Sequence, residues 1–339
     1  MINQVYQLVA PRLIGIKFED VSVNTDQLIV RPTHLSICAA DQRYYTGRRD
    51  TETLKKKLPM ALIHEAAGVV VRDRLGQFNI GDKVLLIPNT PVAKDENISE
   101  NYLDSSQFRA SGFDGFMQEY VLMDRDRVVR YENIVPEVAA VCELISVGMH
   151  AIDTFIKNSH GKKEVIGVWG DGNLGYVTAL MLTKKIPGAK VAVFGLDPHK
   201  LSFFSFADEV FHIDRVPRDF TIDHAFECVG GAGSEYAIDQ IIGHIHPEGT
   251  IMLMGVSENN VPIRTRMVLE KGLRLIGRSR SGREDFIETV RCFEQYPKLQ
   301  QRVKKIIRDV IPVSNIRDIT RAFEEDVSQP FKTVMQWNV

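Results

Sequence analysis

Apolar positions along the chain change rhythm near residue 146. Before it, short apolar runs of strand length, 28–32, 67–71 and 83–87, are split by turns, with Gly81-Asp82 marking one of them. These runs predict a compact β-rich domain. The stretch 95–114 is polar and has no clear period, so it reads as a long surface loop or lobe. After 146, strand and helix alternate: strand 165–169, helix 173–185, strand 190–194, strand 223–231 running into glycines, and strand 250–256. Alternating β and α units predict an α/β fold with a doubly wound parallel sheet. Beyond Ser281 a helix through 286–293 and a short β/α tail follow.

The junction at 165–176 carries the most chemistry. An apolar strand, Val165-Ile166-Gly167-Val168-Trp169, meets Gly170-Asp171-Gly172-Asn173-Leu174-Gly175 and passes into a helix. Glycines at this spacing allow a tight turn and close backbone approach, and the helix start offers free N–H groups to a pyrophosphate. The pattern alone is weak, but strand, glycine turn and helix together point to a dinucleotide. Gly170, Gly172, Asn173, Leu174 and Gly175 are therefore candidate cofactor-binding residues.

Composition narrows the class. A chain of 339 residues suggests about two domains. A net charge of −2 gives no support to nucleic acid or membrane-surface binding by bulk electrostatics. Cys38, Cys142, Cys228 and Cys292 are scattered without a Cys-x-x-Cys, which suggests a reducing compartment. The N-terminus lacks the pattern of a signal peptide, and no apolar run approaches the ~20 residues of a membrane helix. The expectation is a soluble, cytoplasmic protein.

Three fragments ahead of the glycine motif have metal-ligand chemistry: Cys38-Ala39-Ala40-Asp41, His64-Glu65 and Cys142-Glu143. Each alone reads as an ordinary core or helix-terminal residue. Their order and position resemble the zinc-dependent medium-chain dehydrogenase/reductase superfamily, along essentially the whole chain. By that resemblance, residues 1–145 and 282–339 form a GroES-like catalytic domain, and 146–281 form a Rossmann domain. Cys38, His64 and Glu65 look like the family's zinc motifs, and Glu143 matches the glutamate of polyol dehydrogenases; Cys142 is a rival third ligand. The preferred order of ligands is Cys38, His64, Glu143, then Glu65, with Asp41 supporting them by hydrogen bonds. The wording SICAADQRYYTG, LIHE, WGDGNLGY, HAFECVGG and VLEKGLRLIGRSRSG resembles the ribulose 5-phosphate reductases, which make ribitol 5-phosphate for teichoic acid or capsule synthesis.

Departures from the pattern refine this expectation. Many zinc members carry four cysteines in the lobe; 88–115 has none, which leaves one catalytic zinc and no structural zinc. Where the family usually has a Ser/Thr and a His for proton relay, this chain has Ala40 and Arg43, leaving Tyr44, Tyr45, Glu65 or zinc-bound water as routes. Arg43 suits a phosphate, since a guanidinium matches it in two-point fashion. Arg109, Arg278 and Arg280 are further phosphate candidates. Gly195 stands where an NAD enzyme places an acidic residue, and His199 and Lys200 follow it, so NADPH is expected; Asp197 is a complication. The alternatives are an NAD-dependent polyol dehydrogenase and a non-catalytic cofactor-binding scaffold. The resemblance implies a homodimer or homotetramer joined through sheet edges near 255–263 and a cytidylyltransferase as pathway partner.

Overall fold

In the computed structural model, which describes residues 1–339, the chain divides into two units: Met1–Ser146 with Ser281–Val339, and Val147–Arg280. The first unit is built around a largely antiparallel sheet. Its strands run in the order Val128–Arg130, Lys83–Leu86, Glu65–Arg72, Leu28–Ser36, Lys332–Trp337 and Ile307–Val313. Leu28–Ser36 is central, and its Leu28, Val30 and Leu35 are buried in one apolar cluster with Phe116, Phe323 and Trp337. Pro32 interrupts an interior strand without harm because the register with Glu65–Arg72 shifts between Pro32 and His34. Ile2–Ala10 forms a second, smaller sheet with Leu13–Asp20 and Met60–Ala61.

The polar stretch 95–114 is more ordered than its composition predicts. Asn89–Thr90 pairs antiparallel with Gln107–Phe108, a 3₁₀ turn spans Glu100–Tyr102, and Asn101 is buried. Glu100 fixes this lobe, because its carboxylate accepts from both guanidinium nitrogens of Arg127 (2.9 and 3.2 Å) and from Arg283 N (2.9 Å).

The second unit is a six-stranded sheet whose paired strands are all parallel. The order is Glu209–His212, Lys190–Gly195, Val165–Trp169, His224–Glu227, Thr250–Leu253, Arg274–Gly277. This is the doubly wound arrangement, in which the sequence reverses direction across the sheet beside Val165–Trp169. Trp169 stacks on Phe194 at 3.7 Å between centroids, and both lie in a core with Ile222, Ile241, Ile242 and Ile251. The strands expected at 223–231 and 250–256 are shorter, ending at Glu227 and Leu253. The cause is Glu227 itself. Its carboxylate accepts from Val229 N, Gly230 N and Ser234 Oγ through one oxygen and from Gly255 N through the other, which turns both chains away from the ladder.

Candidate active site

Cys38 is the N-cap of helix Ala39–Tyr45, and its sulfur accepts from Ala40 N at 3.4 Å. Asp41, three residues on, closes the cap by accepting from Cys38 N (3.1 Å). Its other oxygen accepts from Ile63 N (3.0 Å) and lies 3.7 Å from His64 Nδ1. One buried carboxylate thus ties the Cys38 turn to the His64 turn, so the capping and supporting roles coincide in Asp41. Ile63 has φ +70, a left-handed backbone that a β-branched residue rarely adopts. Asp41 holds its N–H, while Phe116 N and Met117 N donate to Ile63 O and Leu62 O, so neighbours on two sides hold the strained turn that presents His64.

Ligand atoms of Cys38, His64 and Glu65 lie within 4.8 Å of one another. A tetrahedral zinc keeps its ligands about 3.5 Å apart, so modest contraction suffices. Glu65 is fully buried; Oε1 accepts from Lys332 Nζ at 2.5 Å, while Oε2 is buried with no hydrogen-bond partner. Lys332 is itself buried and also donates to Ile37 O (3.0 Å). Burial opposes its charge, but Glu65 and Cys38 outweigh that and raise its pKa. For His64, burial likewise opposes the charged ring, yet Asp41, Cys38 and Glu143 hold its pKa well above the usual value. The cluster therefore favours positive charge. An orphaned carboxylate oxygen beside a thiol and an imidazole, in a negative potential, fits a divalent metal.

Glu143 opens helix Cys142–Asn158 just outside this triplet. Burial pushes its carboxyl up to about 7, with His64, Glu65, Lys332 and Asp41 all acting on it. The geometry thus groups Glu65 rather than Glu143 with Cys38 and His64, reversing the order expected from the sequence. Cys142 is not in the group. Its thiol is fully buried, points at Val138 O (3.5 Å), and has its pKa pushed up by desolvation.

Two expectations about the surrounding side chains change. Arg109 spends its guanidinium on the carbonyls of Asp114 (3.2 Å) and Leu122 (2.8 Å) and lies over the Phe116 ring, which makes it a brace of the lobe rather than a phosphate ligand. Burial lowers its pKa to about 10. Tyr45 donates to Glu324 (2.8 Å) and stacks on Phe323, and burial raises its pKa, so it is no proton route. Arg43 sits in the last turn of the helix that Cys38 caps. Tyr44, next to it, is buried with Arg49 and Lys57 over its ring. Arg278 and Arg280 belong to the other unit, where Arg278 Nε donates to Thr154 (2.8 Å) and Arg280 has φ +59.

In that unit the glycine turn leads into helix Asn173–Lys185, whose N-cap Gly172 supplies no side-chain cap to its first N–H groups, the groups an anion at a helix start would use. Gly170 has φ +127, and a Cβ on Gly175 would lie 1.9 Å from Gly170 O, so neither tolerates a side chain. A cavity of about 440 Å³ lies beside them, lined by Gly170, Gly172, Gly195, Leu196, Lys200 and Tyr236 among others. His199 turns its ring to Phe203 instead.

Residues 24–133 match the alcohol dehydrogenase GroES-like domain family. A ribulose-5-phosphate reductase of Bacillus spizizenii is 53% identical, with 100% of each chain covered. One from Streptococcus pneumoniae is 46% identical, covering 100% of this chain and 98% of its own. The chain belongs to the medium-chain dehydrogenase/reductase superfamily, in its ribulose-5-phosphate reductase family. The crystal structure of S. aureus TarJ in complex with NADPH has 48% identity and a TM-score of 0.90 over 100% of both chains.

Within this family frame, Lys332 is the residue that sequence reasoning passed over. It lies 267 positions beyond Glu65, in a strand whose pattern does not mark a buried cation. The available signal was a lysine beginning a six-residue strand otherwise buried at all but one position.

Proposed function

We propose that the chain reduces D-ribulose 5-phosphate to D-ribitol 5-phosphate with NADPH and one catalytic zinc. The observation that carries this reading is the Cys38–His64–Glu65 triplet with its orphaned Glu65 oxygen, in a chain that aligns end to end with ribulose-5-phosphate reductases. Cys38, His64 and Glu65 would hold the zinc, with Glu143 beside them. When bound, zinc withdraws electron density from a carbonyl and NADPH supplies the hydride. The chain's own residues prepare this chemistry. Asp41 fixes the Cys38 and His64 turns, Lys332 holds one oxygen of Glu65, and the N–H groups opening Asn173–Lys185 take the pyrophosphate.

Arg43 grips the substrate phosphate in this reading. At ~1.5 Å per helical residue it lies about 7.5 Å along the axis from Cys38, comparable with the reach of a five-carbon chain from its second carbon to a terminal phosphate. Lys200, at the cavity wall, and the NADPH complex of TarJ support the phosphorylated cofactor. The product would supply a cytidylyltransferase and, through it, poly(ribitol phosphate). No helix is long and apolar enough to cross a membrane; a cytoplasmic homodimer or homotetramer is part of the proposal.

A steady-state assay with ribulose 5-phosphate and each reduced nicotinamide, together with elemental analysis, tests the reading. It expects one zinc per chain, a higher kcat/KM with NADPH, and collapse of activity on unphosphorylated ribulose. Equal turnover of free polyols with NAD would establish the polyol dehydrogenase instead. An inert, metal-free protein would leave only the scaffold.

A further inference from the structure

The residue between the first two glycines of a Gly-x-Gly-x-x-Gly turn is usually free to vary. Here it is Asp171, and a single carboxylate oxygen, Oδ2, accepts from both Leu196 N and Asp197 N at 2.8 Å. Those amides belong to the turn that leaves strand Lys190–Gly195. The same carboxylate fills the space where a side chain at 195 would begin. A Cβ on Gly195 would lie 2.7 Å from Asp171 Cβ and 2.8 Å from its Oδ2. One step further, Asp197 accepts from His199 N (2.8 Å) and Lys200 N (3.3 Å) and so starts the short helix Pro198–Leu201. Two carboxylates in series therefore fix the path from the glycine turn to Lys200. Asp171, Gly195, Leu196 and Lys200 all line the same cavity.

We infer that Asp171 is a specificity-determining positioning residue, which sets the Gly195–Lys200 segment to receive the 2′-phosphate of NADPH. The inference rests on the NADPH reading above. It also changes why residue 195 is glycine. The position does not keep carboxylates away, since one is already there; it makes room for Asp171 and Leu201. Asp197 is likewise accounted for, because its side chain caps Pro198–Leu201. A carboxylate lining the same cavity as a bound phosphate would also repel it. Two amides on Oδ2 offset part of that charge.

The sign of a simple titration decides between clamp and charge. Trp169 lines the cavity, so quenching of tryptophan emission reports cofactor binding without turnover. Asp171→Ala, which removes the clamp, is expected to raise the Kd for NADPH about tenfold or more while moving that for NADH much less. Asp171→Asn keeps an oxygen that accepts both amides, and is expected to hold NADPH within about threefold of wild type. Gly195→Ala should weaken NADPH binding, because its Cβ would lie 2.7 Å from Asp171 Cβ and 2.8 Å from Leu201 Cδ2 and push against the clamp. Tighter NADPH binding by either Asp171 variant would overturn the inference, showing that repulsion by the carboxylate outweighs the clamp. An Asp171→Ala variant with unchanged affinities would overturn it too. Wild-type protein that fails to bind NADPH would instead remove the cofactor reading on which it stands.

Discussion

At Glu65 and Lys332, two opposite charges are buried together at 2.5 Å. Breaking such a pair from one side typically costs ~3–5 kcal/mol, because a charge is left uncompensated. Lys332→Met is therefore expected to lower the denaturation midpoint sharply, and Glu65→Gln/Lys332→Met to recover much of the loss; an undiminished midpoint in the single variant would refute the pairing. If Cys38 and His64 hold zinc as proposed, Cys38→Ser and His64→Ala should each lose zinc by elemental analysis while keeping a cooperative thermal transition. Arg43→Ala is expected to lose roughly 2–4 kcal/mol of transition-state binding, about 30- to 1000-fold in kcat/KM for ribulose 5-phosphate, with NADPH affinity unchanged. Arg43→Lys should recover only part of it, lacking the two-point fork; loss of NADPH affinity in the alanine variant would sink the assignment. Cys38, His64 and Glu65, which the structure brings together, stood out in the sequence because short motifs surround them. Lys332 was not, because nothing near it in sequence marks what it meets in space. Arg109 misled because polar neighbours say nothing about which backbone carbonyls a guanidinium will find.

Elements were legible where apolar runs are long and bounded, as at Val165–Trp169 and Asn173–Lys185. They were misjudged where one side chain overrules the run. Glu227 ends two strands early, and Glu100 with Arg127 orders a lobe that periodicity could not. Strand His224–Glu227 also carries a titration. His224 Nδ1 accepts from Thr250 N (3.1 Å), and the opposite nitrogen bonds Lys162 O (2.9 Å), which leaves a neutral ring with both nitrogens used. Desolvation first, and His160 second, lower its pKa to about 4. Because the folded value lies below the unfolded one of ~6.5, the unfolded chain binds the proton first on acidification. This group's stabilisation is thus complete above pH ~6.5, drains away toward pH ~4, and falls no further below that. Urea midpoints measured across this range should show the decline in wild type and a flatter curve in His224→Gln; parallel curves would remove His224 as the cause.

Over the whole molecule, the change of rhythm near 146 marked where the doubly wound unit begins, because a parallel sheet needs alternating helices and an antiparallel one does not. How the distant ends of the chain join was less accessible. The sheet that carries Glu65 is completed by Lys332–Trp337, with Ser36 opposite Val334, about three hundred residues apart. Val147–Arg280, by contrast, closes all six of its strands within itself. During synthesis on the ribosome this difference becomes a schedule. The parallel-sheet unit has all its strands as soon as residue 280 has emerged, whereas in the other unit Leu28–Val30 can pair with Val121–Met123 early but His34–Ser36 wait for 332–337. A nascent chain arrested at Ser328 should therefore resist protease over 147–280 and be cut readily within 1–146. Protection of both would show that the early strands assemble without their partner. The lysine that balances Glu65 is delivered by the same late strand, so the charge balance around Cys38, His64 and Glu65 is set only when their sheet is closed.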